Sequence, residues 1–427
     1  MQRVAQDWLV LAILTADNAF AVGAVTALQF LPLLFFTPMA GSLTDRFDKR
    51  TILLWTQGAQ AALAFGLGAL VLADYANVWH VCFFAFLLGT VSAFDAPPRQ
   101  VFVSELVPPA SLPNAVGLNS MSFNLARLIG PGIAGLLIAW VGPGWVFMIN
   151  GASFIATIAA LLLQRSSEFY TPTAAPAKGA EDKGRIRAGM RYIAGRQDLV
   201  VIFVVVGVIS CLGMNFQLTT GAMARAVFDK DAGEYGILGS IMAIGSLAGA
   251  LIAARRRTQP RVRIVVIAAV AFAVVAAINA IARTYVIYAI TLIPVGFVML
   301  TMLTAANTAV QMSTEPAMRG RVMPLYQTVL QGTTPIGSMV VGWISQSVSP
   351  RWGVGIGAVG AILVATWAFL WTRKHWDVSV HYSLRHRPHL EIIGPLEIAR
   401  AEEARIADLE RESHRHEIDR TPGDDLK

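Results

Sequence analysis

Apolar residues along the chain gather into runs of about 17 to 27, separated by short polar stretches. A helix rises about 1.5 Å per residue, so roughly 20 such residues cross about 30 Å of hydrocarbon. The pattern predicts spans at 20–40, 51–73, 78–96, 116–140, 145–163, 199–220, 235–254, 263–282, 285–310, 322–348 and 354–372. Ahead of these eleven lies Met1 to Leu14, which carries Arg3, Gln6 and Asp7 and is too short to cross alone. Charges among its apolar residues and the lack of a small-residue cleavage site argue against a signal peptide. It reads as part of a first transmembrane helix that begins upstream of the given sequence, which would make twelve helices.

Composition agrees with a polytopic membrane protein: 55% of the residues are apolar and 14% charged, against about 25% charged in ordinary soluble domains. The net charge of +7 does not imply nucleic acid, because the basic residues sit in loops, where they set topology. One side collects eighteen: Arg46, Lys49, Arg50, Arg99, Arg165, Lys178, Lys183, Arg185, Arg187, Arg191, Arg196, Arg255, Arg256, Arg257, Arg261, Arg263, Arg319 and Arg321. The other side has four, Arg225, Lys230, Arg283 and Arg351. The first side is expected to be cytoplasmic, with the central loop and the C-terminus, in a plasma (inner) membrane. Cys82 and Cys211 lie in separate apolar runs and suggest neither a disulfide framework nor a metal site.

The long polar break at 164–198, with a Pro/Ala linker at 171–179 and a basic helix at 183–196, divides the chain. The expected organisation is an N-terminal transmembrane half at 1–163, this central loop, a second half at 199–372 and a cytoplasmic tail at 373–427. The halves look repeated. Gly130 and Gly135 precede Trp145 as Gly337 and Gly342 precede Trp352, each offset by 207 residues, and Gly41 and Gly249 are offset by 208. Parallel halves built from inverted three-helix units are one transporter architecture.

After the second helix the chain reads Gly41-Ser-Leu43-Thr-Asp45-Arg46-Phe-Asp48-Lys49-Arg50. This resembles the cytoplasmic loop motif G-x-L-[AT]-D-R-x-G-R-[KR] of the major facilitator superfamily, with Asp48 at the later Gly position. The resemblance implies that Gly41, Asp45, Arg46, Lys49 and Arg50 form a gating loop, with Asp45 pairing across the halves. Membrane-surface anchoring by the three basic residues is the alternative. In the fifth helix, Gly117-x8-Ala126-x3-Gly130-Pro131-x2-Ala134-Gly135 resembles the antiporter motif of superfamily exporters, with Ala at two Gly positions. Ala126, Gly130 and Ala134 make a small-residue stripe for close helix approach, and Pro131 permits a bend. Ordinary helix packing uses the same spacing. Met1 to Leu9, Asp95-Ala-Pro97-Pro98-Arg99-Gln100 with Glu105, and Pro316 to Met323 together resemble the transmembrane secretion effector branch, to which enterobactin exporters and macrolide-type drug:proton antiporters are related.

Proton coupling needs a titratable group within the membrane, and Asp7 alone among the acids lies deep in an apolar run. A mid-bilayer carboxylate costs roughly 2.5 to 3.5 kcal/mol and marks a pathway or an ion pair. Arg3 lies one turn away on the same face. Either the two form a structural pair, or Arg3 is drawn away during transport and Asp7 takes up a proton. Arg127 is the other intramembrane charge, a partner for Asp7 or a contact for an anionic substrate. Gln29, Asn119, Asn124, Arg127, Asn215, Gln217, Asn307, Tyr326 and Gln327 are the polar candidates for a substrate cavity, or else interhelical hydrogen-bonding groups. Six of the seven histidines lie in the tail, with a charged stretch at 396–419; their spacings build no compact metal site.

The sequence is thus read as an all-helical secondary transporter of facilitator fold, monomeric and bathed in lipid. It is expected to export a small amphiphilic molecule, drug-like or siderophore-like, in exchange for protons. No metal or cofactor is called for. No G-x4-G-K-[ST] loop occurs to hold a nucleotide, and the clustered His, Cys or carboxylates of a membrane enzyme are missing from the sequence. An importer or uniporter on the same fold, or a non-transporting membrane scaffold, are the rival readings.

Overall fold

The computed structural model describes residues 1–165, 169, 182–255, 262–376, 379–383 and 389–393. The linker at 171–179, the basic residues Arg256, Arg257 and Arg261, and the charged stretch at 396–419 lie outside the described residues. The chain divides into two compact units, Met1–Ala365 and Thr366–Lys427. Nine stretches among the described residues are long and apolar enough to cross a membrane.

The first unit is a bundle of helices: α1 (Gln2–Trp8), α2 (Ala19–Arg46), α3 (Lys49–Leu72), α4 (Val78–Glu105), α5 (Leu112–Leu163), α6 (Asp182–Ala194), α7 (Gln197–Gly213), α8 (Phe216–Ala222), α9 (Ala232–Arg255), α10 (Val262–Ala280), α11 (Tyr285–Ser313), α12 (Pro316–Gly332), α13 (Thr334–Ser347) and the start of α14 (Pro350–Trp376). Their starts follow from local chemistry, because a side-chain oxygen satisfies one of the free N–H groups of the first turn. Asn18 caps α2 by accepting from Ala21 N at 3.1 Å, and Asn77 caps α4 through His80 N at 2.9 Å. Asp48, the residue standing where the loop motif has Gly, caps α3 through Thr51 N at 2.8 Å. Its backbone is extended, at φ −60° and ψ 123°, so this turn has no need of a left-handed residue.

Helix breaks divide two of the expected spans. The runs 116–140 and 145–163 are the two helical parts of α5, which meet in a kink at Gly142, inside the expected gap between them; its φ of 79° is one that only glycine adopts at low cost. The run 322–348 divides at Thr333 into α12 and α13, where Pro335 opens the second helix. The run 199–220 breaks at Met214 and Asn215 and continues through α8 into a π-wound turn, Met223–Val227. A similar turn, Leu9–Leu14, continues α1. In the second unit the chain forms a two-stranded antiparallel hairpin, β1 (Ser379–Ser383) and β2 (His389–Ile393), within the 373–427 tail.

Two seams join the halves. In one, α2 meets α13: Ser338 Oγ donates to Gly23 O at 3.0 Å, Ala19 N donates to Gln346 Oε1 at 2.8 Å, and a Cβ on Gly342 would fall 3.3 Å from Gly23 Cα. In the other, α5 meets α9: Gly132 N donates to Ser240 Oγ at 3.0 Å, and a Cβ on Gly135 would fall 2.8 Å from Gly236 Cα. Small residues let backbones approach this closely. Both seams lie at the end remote from the 41–51 loop. Toward that loop the contacts lapse: Gly41, Gly117 and Gly130 each have nothing within 4 Å of where a Cβ would stand. Residues 116–123 of α5 are exposed on every face, which a helix facing lipid on one side and packed on the other would not be. The bundle is closed at one end and open at the other.

Within the first half, Asp95 pins α3 to α4. It is 7% exposed, accepts from Thr56 Oγ1 at 2.7 Å and Gln57 Nε2 at 2.8 Å, and takes a fork from Arg99 at 2.9 and 2.7 Å. Two stability predictions follow from these contacts, both measured by thermal unfolding in detergent. Gly236→Val should cost about 1 to 3 kcal/mol by overpacking, while Gly117→Val stays within about 0.5 kcal/mol; equal losses would contradict the seam. Asp95→Asn should cost about 1.5 to 3 kcal/mol, because charged hydrogen bonds are lost from a buried site. Arg99→Gln should cost less, about 0 to 1 kcal/mol, since that side chain is 53% exposed.

Candidate functional site

Asp7 stands on α1 within the apolar core, beside Val4, Ala5, Trp8 and Leu9. It is 3% exposed, and neither carboxylate oxygen has a hydrogen-bond partner among the described residues. Arg3 Nε lies 3.9 Å from Asp7 Oδ2, close enough for ionic attraction but beyond hydrogen-bonding distance. The Arg3 guanidinium instead rests over the Phe30 ring, 4.9 Å from its centre, an arrangement that favours a cation. Two amide pairs tie α1 to its neighbours: Gln6 Nε2 donates to Gln29 Oε1 at 3.3 Å, and Asn150 Nδ2 donates to Gln2 Oε1 at 2.9 Å. Trp8 stacks on Tyr235 of α9 with ring centres 5.9 Å apart, a contact between the halves. Asp7 is therefore held by α1 between helices of both halves with little polar support.

The other predicted residues disperse. Gln29 joins this cluster. Asn119 and Arg127 lie on the uncovered part of α5, both exposed, and no ion pair among the described residues involves Arg127. Asn124, on the same helix, donates to Ser120 O at 2.8 Å. Asn215 is buried at the α7–α8 break, where its amide donates to Cys211 O at 2.7 Å and so satisfies a carbonyl that the break frees. The Gln217 carbonyl accepts from the Tyr235 hydroxyl at 3.3 Å. Asn307 accepts from Gln311 Nε2 at 3.3 Å, Tyr326 is buried with its ring edge-on to Phe203, and Gln327 is exposed.

In the 41–51 loop, Lys49 Nζ lies 2.7 Å from Glu105 at the end of α4, and Arg50 donates to the carbonyls of Leu161 and Leu162 at 2.9 and 3.1 Å. Both contacts stay within the first half, joining α3 to α4 and to the end of α5. The side chains of Asp45 and Arg46 lie outside the described residues, so the expected pairing of Asp45 across the halves does too. In the antiporter-like stretch the close approach runs through Pro131, Gly132 and Gly135 rather than along the expected stripe. Ala126 is exposed and Gly130 has open space around it, while Ala134 is fully buried in the core cluster that also holds α1 residues. The stripe was read at four-residue spacing, and the facing helix lies about 100° round from part of it.

Sequence reasoning missed several contributors. Gly23, Gly236 and Ser240 complete the seams, and each sits in an apolar run with no motif to mark it. Thr56 and Gln57, which hold Asp95, are a polar pair inside a predicted span, and that was a usable signal. Asp17 lies 3.0 Å from Arg225 across the halves, although the two are far apart in the chain.

Known proteins can be set beside this geometry. The family model described as transmembrane secretion effector matches residues 1–398. The staphyloferrin A transporter of Staphylococcus aureus is 26% identical over 255 residues, covering 58% of this chain and 62% of its own length. The multidrug efflux pump Tap of Mycolicibacterium fortuitum is 25% identical over 353 residues, 79% of this chain and 83% of its own. An MFS-type transporter of Bacillus subtilis, YfiS, is matched over 45% of its length, so the matches to some curated relatives span less than two thirds of them. Among solved structures, a bacterial homologue of the human lysosomal transporter Spinster, inward-facing and occupied, superposes with a TM-score of 0.65 at 14% identity, covering 87% of this chain and 93% of that one. The nucleoside transporter NupG superposes with a TM-score of 0.64 at 13% identity, covering 87% and 97%. These two likenesses show the fold, two six-helix halves of major facilitator type. The chain belongs to the transmembrane secretion effector family of major facilitator superfamily transporters.

Proposed function

We propose that this transporter exports a small amphiphilic molecule, drug-like or siderophore-like, by alternating access and in exchange for protons. The observation that carries the reading is Asp7: a buried carboxylate, without a hydrogen bond among the described residues, whose cation is held 3.9 Å away over an aromatic ring. A charge in such a place is costly unless paired, so small movements of Arg3 decide whether Asp7 stays ionised or takes up a proton. Asp7 is the coupling carboxylate and Arg3 its switchable partner.

The open end of the bundle is the cytoplasmic one, as the excess of Lys and Arg there supports. Substrate enters between the halves from that side and meets Arg127, Asn119 and Asn124 on the uncovered face of α5. Aromatic and apolar neighbours such as Phe123 and Met121, both exposed there, suit the apolar part of an amphiphile. The siderophore and multidrug relatives lend the substrate class its plausible range. Closure on the cytoplasmic side brings the 41–51 loop against the second half, while the glycine seams part at the other end. The protein acts as a monomer in the plasma (inner) membrane, with its central loop and C-terminus in the cytoplasm.

Everted vesicles carrying the protein, a pH-sensitive dye and an imposed proton gradient test this with a panel of cationic drugs, macrolides and siderophores. At least one compound should dissipate the gradient, and Asp7→Asn should abolish that response while leaving the protein in the membrane. An undiminished response in Asp7→Asn returns Asp7 to a structural role. Substrate flux without proton movement removes the antiporter reading and favours a uniporter.

A further inference from the structure

The closed end carries a contact that lies outside the 41–51 loop and the antiporter-like stretch. Asp17 follows the π-wound turn that continues α1, and Arg225 lies within the π-wound turn that continues α8. Arg225 Nε donates to Asp17 Oδ1 at 3.0 Å, joining the first half to the second. Arg225 also lies 4.0 Å from Asp229 on its own side, but Asp229 is 98% exposed. Asp17 is aimed by a strained turn: Ala16 and Asp17 have φ of 48° and 69°, which side-chain-bearing residues rarely adopt. The turn is tied back by Asp17 N donating to Leu11 O at 2.8 Å and by Thr15 Oγ1 donating to Val10 O at 2.6 Å. Strained backbone persists where surrounding contacts over-determine it, and π-turns recur at functional positions. Deeper along α1, the Trp8–Tyr235 stack forms a second contact between the same two halves, next to Asp7.

We infer that Arg225 and Asp17 are the outer gate of the transport cycle: a breakable latch between the halves, layered over the Trp8–Tyr235 stack that seals Asp7 from the outer side. The inference rests on alternating access but not on Asp7 being the proton site. Both latch side chains are more than a third exposed, so the pair is weak enough to open once per cycle. The glycine seams hold the outer ends in register while the latch biases them toward the closed state. Breaking the latch should therefore change how often the outer end opens and leave the folded bundle intact.

Spin labels at Tyr75→Cys and Arg283→Cys, exposed outer positions of the two halves, read the outer-end distance by double electron–electron resonance in the full chain with Cys82 and Cys211 replaced by Ser. Asp17→Asn and Arg225→Gln should each raise the long-distance, outer-open population about two- to fivefold, the weight of an exposed ion pair. Combining the two should do no more than either alone, because a single contact is removed once. The wild type at about 1 M salt should shift in the same direction, since salt screens an exposed pair, and this arm needs no substitution that affects folding. An unchanged distribution in both variants and in salt, or additive effects of the two substitutions, would overturn the latch. These distances do not depend on Asp7, so a silent Asp7→Asn in the vesicle experiment leaves the result standing, and a silent latch leaves the proton reading standing.

Discussion

Where Gly23 meets Gly342, and where Gly135 meets Gly236, two helix backbones touch with almost no side chain between them. Lipid offers helices no hydrophobic gain for associating, so packing, interhelical hydrogen bonds and lipid entropy must hold them together. Backbone contact at small residues maximises the packing, and Ser338 and Ser240 add a hydrogen bond to each seam. Because both seams sit at one end, the closest approach of the two halves is there. The uncovered stretch of α5, the buried setting of Asp7 and the Asp17–Arg225 contact all accompany this asymmetry. A transporter needs an interface that is firm in one state and separable in the next, and short contacts without interlocking side chains meet that need.

Polar groups in the bundle divide into two kinds by how well they are satisfied. Asp95 has four hydrogen bonds from three side chains, which fixes α3 against α4 and leaves the carboxylate nothing further to do. Asp7, on α1, has none among the described residues and only a distant cation. One carboxylate is fully satisfied and the other is not. Buried polar groups left short of partners are costly, and they persist where a function uses the shortfall. The same contrast separates Lys49 and Arg50, which have partners within the first half, from Arg127, which is in no ion pair among the described residues.

Much of the architecture was legible in the sequence, because span length is set by the bilayer itself. The 41–51 motif, the Gly and Pro pattern in α5 and the isolated Asp7 were readable for the same reason: polar or small residues stand out in apolar runs. Helix breaks were less legible. The kink at Gly142 falls between two expected spans, but Pro335 begins a new helix inside a run apolar enough to read as uninterrupted. Seam residues could not be assigned, since glycines at three- and four-residue spacing occur on several faces, and only the facing helix decides which face is used. Gly130 and Gly135 share one motif; one has open space and the other touches Gly236. The Asp17–Arg225 contact was invisible for a different reason, being set by three-dimensional placement of two loops more than two hundred positions apart.

Proton release on substrate binding tests the central claim most directly, because it reads the carboxylate without requiring a membrane or a completed cycle. The purified protein, in weakly buffered detergent with a pH-indicating dye, is mixed with whichever compound of the vesicle panel gives the largest flux. The account predicts that binding expels a proton from the wild type and none from Asp7→Asn, with binding itself retained in the variant. An equal release from both proteins, or binding to the wild type with no release over the working pH range, would contradict it.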